Sequence, residues 1–235
     1  MMPSGPPADR GGSEPPSGPT RTGVVHQPSL FGVAASDPVP ADLAGLLAGP
    51  GALQRMGGTA RVSVTVDAGW RVHALMAELA LRDLPASWEP AQDAFVVRTP
   101  YTTRLLDLAR SWHSGPPRGL HLGGQALRLW VVAAGAPVVD EEGYLLGLGT
   151  ADGRTWSTVE ATWSAGGAAL AAAGLAAALV VLGGGTLPAG KPPAAGRAAA
   201  YRVTGRRRLA RLAELVGDPP ASVAVHHWPS VTRRS

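Results

Sequence analysis

Between residues 40 and 217 the chain writes the same order of secondary-structure signals twice, which leaves few folds open to it. Each copy begins with a short apolar helix rich in small residues. In the first it is Leu43-Ala44-Gly45-Leu46-Leu47-Ala48, stopped by Gly49-Pro50-Gly51. Ala44, Gly45, Ala48 and Gly49 leave one face nearly bare, so another helix backbone can approach, while Leu43, Leu46 and Leu47 fill a core on the other face. Two strands, a helix, two strands and a helix follow. Arg61, Ser63 and Thr65 alternate with Val62, Val64 and Val66, the period of a strand with one buried face and one face open to a partner. Val72, Leu75, Met76 and Leu79 recur at helical spacing from Trp70 to Leu84, ahead of Pro85. Ala86 to Glu89 and Phe95 to Thr99 read as a hairpin around Gln92 and Asp93. Thr102 then starts a helix that turns Leu105, Leu108 and Trp112 inward.

The second copy opens with Leu127 to Gly135, then an acidic turn at Asp140 to Glu142 and a strand at Tyr144 to Leu148. Its long helix runs from Trp156 to Gly174. Strands at Leu175 to Leu182 and Ala199 to Thr204 flank a Gly/Pro loop, and a last helix spans Arg206 to Val216. Superposing the copies puts Leu79 on Leu170 and Leu84 on Leu175, and sets Leu105, Leu108 and Ala109 on Leu209, Leu212 and Ala213. The expected fold is α+β: two pseudo-symmetric αββαββα repeats forming a curved antiparallel sheet covered by helices on one face. The expected organisation is a disordered tail over 1–27, a first repeat over 28–114, a linker over 115–124, a second repeat over 125–217 and a disordered tail over 218–235. Both tails are too poor in apolar residues to build a core, and the first lacks the apolar run of a secretory signal.

Composition narrows the chemistry. The 235 residues are 45% hydrophobic, enough for a core, and contain no cysteine, which removes disulfides and thiolate metal sites and fits the cytoplasm. Lys and Arg outnumber Asp and Glu by 21 to 17, and Lys191 is the sole lysine. Arginine suits phosphate and planar hydrogen-bonding partners, so a polyanion is an admissible partner.

Several motifs imitate cofactor chemistry and fail on a specific residue. Gly185 to Lys191 has the spacing of a phosphate-binding loop, but Pro192-Pro193 follow where a hydroxyl and a helix are required. Gly147, Gly149 and Gly153 suggest a dinucleotide-binding turn, with the last spacing one residue too long and no acid after the next strand. No histidine pair stands at i, i+4 beside a carboxylate, and no serine sits in a nucleophile elbow. The uncharged run Ala165 to Gly185 is long enough to span a bilayer, yet it is mostly Ala and Gly and reads as a helix followed by a strand, so no membrane partner is expected. No cofactor and no metal are expected.

Leu43-Ala44-Gly45-Leu46 with Gly51, matched in the second copy by Leu127 and Gly135, resembles the LAGLIDADG motif helix. Residues 40 to 217 look like a monomeric two-repeat LAGLIDADG-fold protein and are similar especially to the non-cleaving LAGLIDADG-like domain of the sporulation regulator WhiA. The resemblance implies that the two motif helices pack together and that the open sheet face contacts DNA. In that family the acid at the motif's eighth position binds the metal for cleavage, whereas this chain carries Pro50 and Ala134 there. The expectation is therefore a DNA-binding or regulatory protein that is monomeric and not an enzyme. The alternative from a different class is a protein-interaction scaffold without nucleic-acid binding. The residues assigned to a polyanion are Arg61, Ser63 and Thr65 on one strand, Arg202 and Thr204 on another, and Arg206, Arg207 and Arg208 in a helix first turn. Three cations there oppose the helix dipole unless an anion compensates them.

Overall fold

The computed structural model describes Gly32 and residues 36–139, 141–149, 156–182 and 198–230. A 3-10 turn at Pro40–Leu43 leads into α1 (Ala44–Ala48), followed by β1 (Gly51–Met56), β2 (Thr59–Val66), α2 (Gly69–Ala80), β3 (Ser87–Ala91), β4 (Ala94–Arg98) and, after a 3-10 turn, α3 (Leu106–Ser111). The second repeat is α4 (Gly124–Ala134), β5 (Gly135–Pro137), β6 (Gly143–Gly147), α5 (Trp156–Ala172), β7 (Ala178–Val181), β8 (Ala199–Thr204) and α6 (Arg206–Val216). The expected curved sheet is built as two four-stranded antiparallel sheets, ordered β1-β2-β4-β3 and β5-β6-β8-β7. The shared order is the αββαββα repeat seen in the sequence.

The repeats also agree in backbone detail. After α2 the Leu84 N–H donates to the Leu79 carbonyl at 3.0 Å, and after α5 the Leu175 N–H donates to the Leu170 carbonyl at 2.8 Å. All four leucines are buried. The turn requires a left-handed residue: Asp83 holds it at φ 53° in the first repeat and Gly174 at φ 81° in the second.

Valines 62, 64 and 66 of β2, Val97 of β4, and Tyr144, Leu146, Tyr201 and Val203 of the second sheet point into one continuous core beneath the helices. There α1 crosses α4 at backbone distance, since a β-carbon added at Gly45 would lie 1.8 Å from the Ala126 carbonyl oxygen. At Gly49 it would lie 2.4 Å from the Trp130 indole nitrogen. The Trp130 Nε1–H in turn donates to the Gly147 carbonyl at 2.8 Å.

A charged layer joins the repeats. Arg82, whose side chain is 0% exposed, donates to Asp42, to the Glu78 carboxylate and to the Gln125 side chain at 2.8 Å. Glu78 also accepts from Arg128 of α4 at 2.6 Å. Arg71 donates to the carbonyls of Val132 and Gly135, satisfying the C-terminal turn of α4. The face of α2 toward α4 is thus polar, while Val72, Leu75 and Leu79 serve the core.

Element limits differ from the sequence reading in ways the geometry explains. The second motif helix starts at Gly124, three residues before Leu127 and inside the expected linker, because its first turn packs against the polar layer through Gln125. The strand expected from Leu175 begins at Ala178, since Leu175 still closes the turn after α5.

The expected tail from residue 218 is corrected. Residues 218–230 fold back as a strap: Trp228 is 5% exposed, its indole N–H donates to the Gly217 carbonyl, and Arg128 lies 5.3 Å over its ring. Buried Trp228 and Val223, the stacking of His227 on Trp70, and hydrogen bonds from Arg128 to the Asp218 carbonyl and from Tyr144 to the His227 carbonyl hold a segment that has no apolar periodicity. Residues 1–27, the Gly/Pro loop with Lys191, Asp140 and Gly153 lie outside the described residues. No helix among the described residues is long and apolar enough to cross a membrane.

Candidate nucleic-acid interface

On β2 the inward valines leave Arg61, Ser63 and Thr65 on the opposite, outer face. Register adds Gln54 opposite Arg61 and Arg98 opposite Ser63. The Arg61 Nε–H donates to Gln54 Oε1 at 2.7 Å, and its guanidinium lies 4.6 Å from the centre of the Tyr101 ring. A ring and an acceptor thereby hold this arginine in place while part of its donor fork stays open to a partner. Arg98 is paired with Glu89 at 2.6 Å.

The second sheet presents a different outer face. Arg202 and Thr204 share it, with Leu145 opposite Arg202 and with Ala136, Ala178, Val180 and Ala200 on the same side. Arg202 is ion-paired with Glu141. The expectation of one hydrogen-bonded sheet carrying Arg61 and Arg202 side by side is therefore modified: β2 and β8 belong to separate sheets, and only the first outer face is dominated by polar side chains.

Arg206, Arg207 and Arg208 are exposed in the first turn of α6, which starts after Gly205 at φ 88°. Arg208 donates to the Thr204 carbonyl at 3.2 Å, whereas Arg206 and Arg207 have no hydrogen bond or ion pair among the described residues. Nothing in that turn offsets the three cations against the helix dipole.

The motif residues Leu43, Ala44, Gly45, Leu46 and Gly51 sit in and beside α1, and Leu127 and Gly135 in and just after α4. Pro50 and Ala134 stand at the ends of these helices. Among the described residues no group of three or more His, Cys, Asp or Glu side chains is placed to hold a metal ion. Sequence reasoning missed Gln54, Arg98 and Tyr101. The Gln54 signal was the short polar and apolar run after Gly51, and Tyr101 follows Pro100 with no pattern of its own.

No family model and no curated protein matches the chain. Solved structures similar to it include I-DmoI in complex with DNA and calcium, at 12% identity over 79% of this chain and 95% of that one, with a TM-score of 0.45. The homing endonuclease I-WcaI bound to its DNA recognition sequence is similar at 9% identity over 77% and 82%, also with a TM-score of 0.45. Both are homing endonucleases. The expectation that the chain is not an enzyme is corrected against this finding: the solved structures similar to it are homing endonucleases.

Proposed function

We propose that this protein binds duplex DNA, using the outer face of the first sheet as its main contact and the first turn of α6 as a phosphate contact at the rim. The carrying observation is the arrangement of Gln54, Arg61, Ser63, Thr65 and Tyr101, in which an arginine is fixed by a ring and an acceptor on an otherwise open strand face. Pre-ordering the guanidinium lowers the entropy lost when it meets a phosphate or a base edge. The unpaired Arg206 and Arg207 support the same reading, since a phosphate at a helix N-terminus relieves the charge that the turn otherwise carries. A regulatory role, the one that goes with the WhiA-like resemblance, is part of this proposal.

Titration of a fluorescent duplex by anisotropy tests it. Binding at low salt that weakens steeply as salt rises is the expected result, because each neutralised phosphate releases counterions. Absence of binding at low salt contradicts the proposal.

A further inference from the structure

The strand registers of the two sheets superpose row for row. Across the first sheet Gly51 pairs with Val64, Val64 with Val97 and Val97 with Trp88, and across the second Gly135, Leu146, Tyr201 and Leu179 repeat that row. The offset that sets Val97 on Tyr201 also sets Leu105 on Leu209 in the helices that follow, and the offset that sets Trp88 on Leu179 also sets Leu79 on Leu170. Each outer-face residue of one sheet therefore has a definite counterpart in the other.

The counterparts differ in kind. Arg61 corresponds to Gly143, Ser63 to Leu145 and Thr65 to Gly147. On the edge strands Ser87 corresponds to Ala178 and Glu89 to Val180. Gln54, opposite Arg61, corresponds to Val138, whose N–H donates to the Gly143 carbonyl at 3.0 Å. At each of these six positions a side chain able to hydrogen-bond in the first repeat gives way to one that is not in the second. Arg98 alone keeps its type, as Arg202, and an acid neutralises both arginines, Glu89 in the first repeat and Glu141 in the second. The second face gains only Thr204, opposite Gly143.

This difference governs what each face can do with a duplex. Phosphate contacts hold a protein on DNA, whereas sequence is chosen by groups that meet base edges. In the major groove that choice is made by hydrogen-bond donors and acceptors and by apolar contact with the thymine methyl. On the first sheet the Arg61 Nε–H is taken by Gln54 at 2.7 Å, which leaves the two Nη groups side by side without a hydrogen-bond partner among the described residues. A pair of donors at that spacing suits the O6 and N7 acceptors of guanine. The Ser63 and Thr65 hydroxyls also have no hydrogen-bond partner among the described residues and can donate or accept. On the second sheet Gly143 and Gly147 present no side chain, and Leu145 presents an apolar one.

A body of two equivalent halves is expected to read two equivalent half-sites, because the symmetry of a protein is mirrored in its target. We propose that this one does not: sequence recognition resides in the half of the duplex under the first sheet, where Arg61 selects a guanine, and the strand face of the second sheet selects no base by hydrogen bonding. The inference rests on the DNA reading above and adds the form of the target, one asymmetric block in place of an inverted repeat.

The test is repeated selection by the full-length chain from random-sequence duplexes of about 24 base pairs, more than two helical turns, followed by sequencing. One enriched block of no more than about ten base pairs, a single turn, is expected, with a guanine in it. Arg61→Lys keeps the charge and loses the paired donors. It is expected to lower the preference for that guanine about tenfold while unrelated duplexes bind with the parent's affinity and salt slope. Leu145→Ala is expected to return the parent's block unchanged. Two enriched blocks in inverted orientation overturn the inference, as does a guanine preference that survives in Arg61→Lys or a block that changes in Leu145→Ala. Salt-sensitive binding without any enrichment overturns this inference and leaves the DNA reading standing, whereas absence of binding at low salt overturns both.

Discussion

Gly45 of α1 and Ala126 of α4 meet backbone to backbone, with no room between them for a single methyl group: a β-carbon at residue 45 would sit 1.8 Å from the Ala126 carbonyl oxygen. Since the neighbouring atoms are main chain, no rotamer change can relieve the clash. Gly45→Ala is expected to destabilise the protein by about 1–3 kcal/mol, the usual cost of overpacking a core, although alanine is the better helix former. Denaturant unfolding checks this, and unchanged stability would mean that the two helices do not pack as described.

Glu78 stands between Arg82 and Arg128 and is 3% exposed. Replacing it by alanine leaves two guanidinium groups near the repeat boundary without their shared acceptor. The expected loss is about 3–5 kcal/mol, and Glu78→Gln, which keeps one acceptor oxygen, is expected to lose less. Equal stabilities of the two variants would show that the acceptor oxygen retained by glutamine contributes nothing to the layer.

The strap predicts a cost at its anchor. Trp228→Ala removes a buried indole and its hydrogen bond to Gly217, and is expected to cost about 3 kcal/mol or more by thermal or denaturant unfolding. Val225→Ala, an exposed position in the same turn, is expected to change little.

His227 links the strap to pH. Partial burial, with His226 and Arg71 nearby, holds its pKa below the ordinary 6.5, and Asp67 opposes this only in part. A folded pKa below the unfolded one means that the neutral ring is favoured by folding. Its contribution is complete above pH 6.5 and is lost as pH falls from there through the folded pKa. The melting temperature is therefore expected to drop more steeply below pH 6.5 for the parent chain than for His227→Phe, which keeps the stacking on Trp70 without a titrating group. Parallel pH profiles would contradict this.

Much of the architecture was legible because it rests on apolar periodicity. Leu79, Leu84, Leu170 and Leu175 are recognisable as equivalents from spacing, and they close equivalent turns. Arg71, Glu78 and Arg82 were not, since charged residues at helical spacing look the same whether they face water or a partner helix; only α4, some fifty residues on, decides which. The strap was hidden for a related reason: one tryptophan docking on a distant carbonyl leaves no periodic trace. At the candidate interface, alternation placed Arg61, Ser63 and Thr65 on one face, while the pairing of Arg202 with Glu141, 61 residues away, has no local signal.

The reading as a DNA-binding protein is tested most directly by the salt dependence of duplex affinity for the parent chain, Arg61→Ala, and the triple variant Arg206→Ala, Arg207→Ala, Arg208→Ala. All three are to be verified as folded by circular dichroism. The expected result is weaker binding to unrelated sequences in both variants, with the slope of log K against log salt flattened by about 0.9 for each phosphate that the variant no longer neutralises. Folded variants with the parent's affinity and slope, or a parent chain that does not bind duplex DNA at low salt, would contradict it.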